Sequence, residues 1–325
     1  MGLIRIAGIG AYTPDNIVTN DELSKIVDTN DQWISSRTGI KQRRISIDEN
    51  TSDLATKAAL DALKDANISG EEIELIILAT TTSDSLIPSM ACKVQRAIGA
   101  KNAVSFDIAA ACSGLLYAMS IAKSFITSGV YKKALVIGSE VLSKVINWED
   151  RNTCVLFGDG ASAIIIEKSD FDGIPFIEIG SDPTKYEVLT SNGIGLNNPF
   201  AKEDTITNHY VEMNGKEVFK FAVNIIEESI RKLLNEQKLS IEDIDHIVCH
   251  QANYRIIDYV SKSFEGNKEK FYMNLQDYGN TSSASIGIAL DEMNKKGLLK
   301  NGHRIILVGF GGGLTWGAAL INWQR

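Results

Sequence analysis

The sequence predicts an α/β protein made of two similar halves. Segments with helical spacing alternate with short segments that are apolar throughout, which is the pattern of strands in a sheet covered by helices on both faces. Two stretches also recur at one offset: the stretch around Ile73 is repeated around Ile244, and the stretch ending at Gly138 is repeated at Gly309, each 171 residues later. Two matches at the same spacing indicate an internal duplication.

The same patterns place the halves and their elements. We expect halves at residues 1–170 and 171–325, with an irregular insertion at about residues 171–215. The predicted strands are Ile4–Ile9, Leu75–Ala79, Val104–Ile108, Ala134–Gly138, Ala161–Glu167, one ending at Cys249, and Phe271–Leu275. The predicted helices are Asp31–Gly39, Thr51–Ala66, Ser89–Ile98, Cys112–Lys123 and Ser282–Lys295.

Composition narrows the class of protein. The chain has 325 residues, 44% of them hydrophobic and 23% charged, with a net charge of −8. This balance fits a globular protein and disfavours nucleic acid as a partner. No run of 18 apolar residues predicts a membrane span, and the scattered cysteines and histidines fit neither a disulfide framework nor a metal site. We therefore predict a cytoplasmic protein without a metal.

Cys112 lies where a buried strand turns into a helix. The strand Val104–Ile108 precedes it, and small residues surround it. Unpaired N–H groups and the positive end of the helix dipole favour a thiolate at such a place. The residue pattern thus indicates a nucleophile, although a buried structural cysteine at a tight turn is the alternative.

His250 and Asn280 follow strands in the second half in the same way. The carboxyl ends of strands in an α/β sheet meet along one edge, so duplicated halves can bring Cys112, His250 and Asn280 to one pocket. Taken singly, His250 also fits a core histidine and Asn280 a helix cap.

Five motifs of this chain carry a resemblance to one family. They are Ala110–Gly114, Phe157–Ala161, His250–Asn253, Tyr278–Ser283 and Gly309–Gly317. In this order they resemble β-ketoacyl-[acyl-carrier-protein] synthase III of bacterial type II fatty acid synthesis, a family of the thiolase-like superfamily. The resemblance implies a duplicated five-layered αβαβα fold and a homodimer.

The resemblance also implies an activity. It is the decarboxylative condensation of an acyl-CoA primer with malonyl-acyl carrier protein, through an acyl group carried by Cys112. His250 and Asn280 would stabilise the enolate, and the backbone amides of Cys112 and Gly312 would bind the oxyanion of the first step. No cofactor is implied, because coenzyme A thioesters enter as substrates.

Further residues take roles by the same resemblance. The CoA-binding set is Thr29, Trp33, Arg37, Arg151, Ala252 and Asn253. The acyl-pocket set is Ile87, Leu142 and Phe157, with Ile87 entering the partner subunit. The set that docks the acidic carrier protein is Arg255, Lys216 and Lys220.

Two other functions stay open at this point. A related acyl-transferring or condensing enzyme of specialised, polyketide-like metabolism would use the same residues. A catalytically silent subunit of thiolase-like fold is the alternative from another class, and Cys112, His250 and Asn280 together speak against it.

Overall fold

The computed structural model describes residues 2–201 and 208–325 and contains two five-stranded sheets with the same strand order. The first sheet runs in the order β1, β7, β6, β4, β5, with β1 at Leu3–Tyr12, β4 at Leu75–Ala79, β5 at Val104–Ile108, β6 at Lys133–Glu140 and β7 at Gly160–Ser169. The second runs in the order β8, β14, β13, β11, β12, with β8 at Phe176–Ser181, β11 at His246–Cys249, β12 at Phe271–Tyr272, β13 at Arg304–Gly311 and β14 at Thr315–Asn322. The duplication predicted from the 171-residue offset is therefore visible in the topology.

Helices form the other three layers. The helices are α1 (Asn20–Leu23), α2 (Asp31–Thr38), α3 (Thr51–Ala66), α4 (Met90–Ala97), α5 (Gly114–Thr127), α6 (Gly215–Gln237), α7 (Tyr254–Lys262), α8 (Leu275–Tyr278) and α9 (Ser285–Lys295). Helices α5 and α9 each contact strands of both sheets and form the central layer. Helices α3 and α4 cover the first sheet from outside, and α6 contacts the second sheet from outside with α7 packed against it. The five-layered αβαβα fold is confirmed.

Close packing of the central layer depends on small residues. Every residue of β4 is buried, because helices cover both of its faces. A Cβ on Gly138 of β6 would stand 2.3 Å from the backbone oxygen of Ser283, just before α9. A side chain at residue 138 would therefore push the second central helix away from the first sheet.

Local signals located most elements correctly. The bounds of α3, β4 and β5 agree with the prediction, and the capping box formed by Thr19 and Glu22 is present before α1. Gly39 ends α2 with a φ of 79°, a left-handed conformation that glycine adopts without strain.

Four predictions about elements were wrong. The strand predicted at Phe271–Leu275 ends at Tyr272, and Leu275 begins the helix α8. Strand β5 was predicted to be buried, but it lies at the edge of the first sheet and its first residue, Val104, is exposed.

The other two wrong predictions concern the insertion and the central helices. Residues 171–215 are not simply an irregular insertion, because β8 lies there and occupies in the second sheet the place of β1 in the first; residues 202–207 lie outside the described part of the chain. The central helices also begin later than predicted, at Gly114 and Ser285, because a short 3₁₀ turn precedes each.

Two small β-ladders and one finding about membranes complete the description. β2 (Ile17–Thr19) pairs with β3 (Gln42–Arg44), and β9 (Leu189–Thr190) pairs with β10 (Glu212–Met213). Among the described residues, no helix combines the length and the apolar character needed to cross a membrane.

Candidate active site

Cys112, His250 and Asn280 line one cavity, which lies between the two halves. This first cavity has a volume of about 130 Å³, and Phe157 and Phe310 form part of its apolar wall. Cys112 and His250 come from segments that follow strands β5 and β11, whereas Asn280 follows the short helix α8 and not, as had been predicted, a strand. The predicted meeting of the three side chains at one edge is therefore what the structure contains.

The nucleophile candidate stands on a strained turn. Ala111 has a φ of +45°, and Ser282, which is 171 residues later, has a φ of +49°. Left-handed conformations are costly for residues with a side chain and persist where the surrounding structure holds them. The turn directs Cys112 into the first cavity, with 9% of its surface accessible.

The protonation state of Cys112 differs from the one expected from its place before a helix. Burial raises the pKa of the thiol to about 12, with a smaller contribution from the Glu140 carboxyl, while a hydrogen bond with Ser282 opposes the shift. Desolvation of the thiolate outweighs the favourable end of the helix. The raised pKa keeps Cys112 a neutral thiol near neutral pH, so a role as nucleophile would require its proton to leave during the attack.

His250 is held as a neutral ring. Its Nδ1 lies 2.6 Å from the Ser285 hydroxyl, and its ring meets that of Phe310 edge to face at 5.2 Å. Burial lowers the pKa of the imidazole to about 3. A neutral ring can donate one hydrogen bond without acting as an acid, and Nε2 is the nitrogen left to meet the first cavity.

Asn280 is oriented by its own backbone surroundings. Its Oδ1 accepts the N–H of Ser282 at 2.8 Å, but the N-cap residue of the following 3₁₀ turn is Thr281 and that of α9 is Ala284, so Asn280 is not a helix cap. Its backbone N–H donates to Leu156 at 2.8 Å, and its carbonyl accepts from Gly158 at 3.0 Å. Since the amide oxygen is occupied, the NH₂ group is the part of the side chain available to a ligand.

A second cavity of about 470 Å³ lies on the other side of Cys112. Its lining includes Leu142 and Phe157, which were predicted for the acyl pocket, and Gly312, whose backbone N–H was predicted to bind the oxyanion. The third predicted pocket residue, Ile87, does not line this chain's cavity and is 88% exposed. Cys112 thus lines both the small first cavity and the larger second cavity.

Gly311 packs against the backbone of the nucleophile. A Cβ on Gly311 would stand 2.6 Å from the Cys112 nitrogen. We expect Gly311→Ala to displace the turn and to slow acylation of Cys112 by about 10²-fold, since a misplacement of about 1 Å has that effect. Rapid-quench mass spectrometry with an acyl-CoA measures this rate. Gly2→Ala is the control, because Gly2 lines neither cavity and its Cβ would come no closer than 3.6 Å to another atom, Thr127 Cα; equal rates in both variants would show that residue 311 tolerates a side chain.

The structure also brings the predicted CoA residues together. The guanidinium of Arg37 lies 4.6 Å from the Trp33 ring centroid and that of Arg151 lies 5.0 Å from it. The buried hydroxyl of Thr29 has no hydrogen-bond partner in the described part of the chain. Ala252 and Asn253 are not in this group; they line the first cavity.

Two of the predicted docking residues share a cleft beside the first cavity. Lys216 and Arg255 line this basic cleft together with Phe219 and Asn253, and Phe219 and Asn253 also line the first cavity. Lys220 is exposed on α6 and does not line the cleft.

Sequence reasoning missed two buried polar residues. Ser285 bonds to His250, and Glu140 lies fully buried with Thr82 donating to it at 2.6 Å and Ser283 at 3.2 Å. Burial raises the pKa of Glu140. An acidic residue closing the apolar strand β6 was a signal for Glu140, whereas nothing in the local pattern marked Ser285. In the described ranges, no group of three or more His, Cys, Asp or Glu side chains is placed to hold a metal ion.

The neutral state of His250 has a consequence for stability. Its pKa is about 3 in the fold against 6.5 for an unperturbed ring, so below pH 6.5 only the unfolded chain takes up the proton. The neutral His250 ring makes its full contribution to the free energy of unfolding above pH 6.5, the pKa of the ring in the unfolded chain. As pH falls from there toward 3, this contribution decreases by about 1.4 kcal/mol per pH unit. Urea titrations at about pH 7 and about pH 5.5 should show wild type losing about 1 kcal/mol more than His250→Gln. An equal loss in both proteins would contradict the shift.

Comparisons with known proteins match this chain to one family. A family model described as 3-oxoacyl-[acyl-carrier-protein] synthase III matches residues 106–183, and one for the C-terminal part of that enzyme matches residues 234–323. β-Ketoacyl-[acyl-carrier-protein] synthase III of Clostridium acetobutylicum is 56% identical over 325 residues, which is 100% of both chains.

Solved structures extend the similarity to three dimensions. The crystal structure of 3-oxoacyl-[acyl-carrier-protein] synthase III from Aquifex aeolicus matches with a TM-score of 0.92 and 45% identity, over 98% of this chain and 100% of that one. The priming β-ketosynthase of the R1128 polyketide pathway matches with a TM-score of 0.92 and 33% identity, over 98% and 96% of the two chains.

Proposed function

Because the chain belongs to the 3-oxoacyl-[acyl-carrier-protein] synthase III family, we propose that it joins an acyl-CoA primer to malonyl-acyl carrier protein at the first cavity. The protein is an acyltransferase of this family and starts type II fatty acid synthesis. The observation that carries the assignment of residues is that Cys112, His250 and Asn280 line one cavity. The half at residues 1–170 supplies the Cys112 sulfur, and the half at residues 171–325 supplies the hydrogen-bond donors His250 and Asn280.

The first step transfers the acyl group to Cys112. The sulfur attacks the thioester carbon, the bond from that carbon to the CoA sulfur breaks, and the thiol proton ends on the released CoA. The oxyanion formed on the way is bound by the backbone N–H groups of Cys112 and Gly312, which need no reorganisation. The neutral thiol of the free protein suits this exchange, because proton loss accompanies attack.

The second step builds the new carbon–carbon bond. Malonyl-acyl carrier protein loses CO₂, and the charge that remains lies on the thioester oxygen of an enolate. His250 Nε2–H and the Asn280 NH₂ group donate to that oxygen, and neither donor is acidic enough to protonate the carbon. The enolate carbon then attacks the acyl-Cys112 carbonyl and releases the sulfur, which recovers a proton. The product is a 3-oxoacyl thioester.

The Trp33, Arg37 and Arg151 group holds the adenine and phosphates of CoA in this proposal, with Thr29 beside it. We expect Arg151→Ala to raise KM for an acyl-CoA about tenfold, since the stacked cation and its phosphate contact are lost. Steady-state kinetics measure this. The constants for a short acyl-cysteamine thioester, which lacks the nucleotide, should not change. Arg231→Ala is the control, because its guanidinium stacks at 4.8 Å on Phe264 away from the site; a similar KM in both variants would remove Arg151 from the CoA site.

The second cavity receives the acyl chain, and a homodimer completes it. Leu142 and Phe157 line the cavity, and the exposed Ile87 is available to enter the cavity of a second copy. An aliphatic residue there leaves room for longer or branched primers. A strict preference for acetyl-CoA in competition assays would refute this.

The basic cleft docks the carrier protein. Lys216 and Arg255 supply positive charge where the chain's net charge of −8 would otherwise repel an acidic partner, with Lys220 nearby. Ala252 and Asn253 contact the pantetheine arm on its way to Cys112. We propose a cytoplasmic setting, consistent with the four free cysteines, and no resident cofactor.

Intact-mass analysis after incubation with a panel of acyl-CoAs tests the proposal directly. A single acyl adduct on wild type that is absent from Cys112→Ser identifies both the nucleophile and the primer. Absence of any adduct would overturn the acyl-enzyme. Product analysis with malonyl-carrier protein and with malonyl-CoA separates fatty acid initiation from the polyketide-like alternative, for which the R1128 synthase is a relative of the same fold.

A further inference from the structure

The inner nitrogen of His250 meets a hydroxyl that sequence motifs did not mark. Ser285 Oγ lies 2.6 Å from His250 Nδ1, and the backbone N–H of Gln251 donates to the same Oγ at 3.3 Å. His250 and Gln251 are each 1% exposed and Ser285 is 2% exposed. The contact is therefore shielded from bulk water, and its direction is decided by the protein.

The donors and acceptors around Ser285 Oγ determine the direction of its hydrogen bond with His250. The Ser285 oxygen already accepts a hydrogen bond from the Gln251 N–H, and among the described groups its own O–H has His250 Nδ1 as the acceptor at bonding distance. Donation by the amide polarises the hydroxyl toward giving its proton onward. An Nδ1 that accepts carries no proton, so the single proton of the neutral ring lies on Nε2.

We propose that Ser285 is the positioning residue that sets His250 in the Nε2–H tautomer. This inference rests on the proposed function, in which His250 donates to the enolate oxygen. In the other tautomer Nε2 would present a lone pair to that oxygen and repel it. The Ser285 hydroxyl thus decides whether the ring stabilises or opposes the decarboxylation.

The duplication supports a fixed geometry for this pair. His250 and Ser285 lie 171 residues after Ala79 and Gly114, which take the same places in the first half. A Cβ on Gly114 would stand 2.7 Å from the Ala79 Cβ. The end of the strand and the first residue of the central helix therefore approach closely in both halves. In the second half the two residues at this contact, His250 and Ser285, form a hydrogen bond, whereas Ala79 and Gly114 of the first half have no polar side chain.

The test combines a direct reading of the tautomer with the two half-reactions. Two-bond ¹H–¹⁵N NMR of the full ¹⁵N-labelled chain distinguishes protonation at Nδ1 from Nε2, and the absence of one of four histidine signals in His250→Gln assigns the resonance. We expect Nε2–H in wild type and in Ser285→Thr, which keeps the hydroxyl. In Ser285→Ala we expect the Nδ1–H form to appear, because the acceptor has lost its donor.

The two half-reactions should respond differently to the Ser285 variants. Ser285→Ala is expected to release CO₂ from malonyl-carrier protein about 10- to 100-fold more slowly than wild type, while Cys112 takes up acyl groups at the wild-type rate. Ser285→Thr should restore CO₂ release. Ser283→Ala removes a buried hydroxyl that bonds to Ala79 and Glu140 instead, and it should keep the Nε2–H tautomer.

The outcomes separate this inference from the function on which it rests. Nδ1–H at His250 in the wild-type protein overturns it, and this measurement needs no Ser285 variant to fold. Full CO₂ release by Ser285→Ala with an unchanged tautomer also overturns it and leaves the proposed function standing. A wild-type protein that is Nε2–H yet takes up no acyl group would overturn the proposed function and support the positioning role.

Discussion

The variant Cys112→Ala is expected to lose condensation by about 10⁴-fold or more while it still releases CO₂ from a malonyl thioester. Removal of the nucleophile leaves no group to carry the acyl chain, and losses of this size follow when the attacking atom is deleted. In the proposed mechanism, decarboxylation needs only the donors His250 and Asn280, which line the same cavity as Cys112 and remain in this variant.

Two assays measure these effects separately. Radiolabelled acyl uptake reports the first step, and ¹⁴CO₂ release from malonyl-carrier protein reports the second. Cys154→Ala is the matched control, because it removes a buried thiol that lines neither cavity and packs in a hydrophobic cluster with residues of both halves. If Cys112→Ala kept condensing activity, the acyl-enzyme would be wrong. If wild type took up no acyl group, the silent-subunit alternative would stand.

Asn280→Asp is expected to slow decarboxylation by about 10²- to 10³-fold, the usual effect of losing one oxyanion donor. Aspartate has almost the same shape as asparagine and keeps an oxygen that can accept the Ser282 N–H, which lies 2.8 Å from Asn280 Oδ1 in the wild-type protein. It exchanges the donating NH₂ group for a second oxygen, which repels the charge that develops on the enolate. Acylation of Cys112 should continue, because its oxyanion uses backbone donors.

Asn267→Asp provides a control for burial. Asn267 and Asn280 are both 7% exposed, but Asn267 does not line the first cavity, and its amide bonds to the Glu265 carbonyl at 3.0 Å. Comparable thermal stability of the two variants with different CO₂ release would locate the defect in the chemistry. Loss of acyl uptake in Asn280→Asp would instead place Asn280 in the first step.

Local signals in the sequence were sufficient for much of the fold. The helix α3 and the strands β4 and β5 follow from apolar spacing, which depends only on neighbours in the chain. The repeat also predicted equivalent halves, and the two sheets have the same strand order. Strand β8 escaped notice because it is an edge strand with mixed burial, so its pattern lacks a clear period.

Other features of the site arise from contacts between distant segments. The raised pKa of Cys112 and the lowered pKa of His250 come from burial by both halves, which no local pattern reports. The placement of Ser285 beside His250 joins residues 35 positions apart. The positive φ of Ala111 likewise depends on the packing around it.

The sequence by itself determined the duplicated α/β plan, because chain spacing encodes it, and its motifs marked Cys112, His250 and Asn280 as candidate site residues. Only the tertiary structure decided that these three side chains share one cavity, that the thiol is neutral, and which nitrogen of the imidazole faces the cavity. The physical reason is that solvation and hydrogen-bond direction depend on what surrounds a group in space. Those surroundings come from residues far away along the chain.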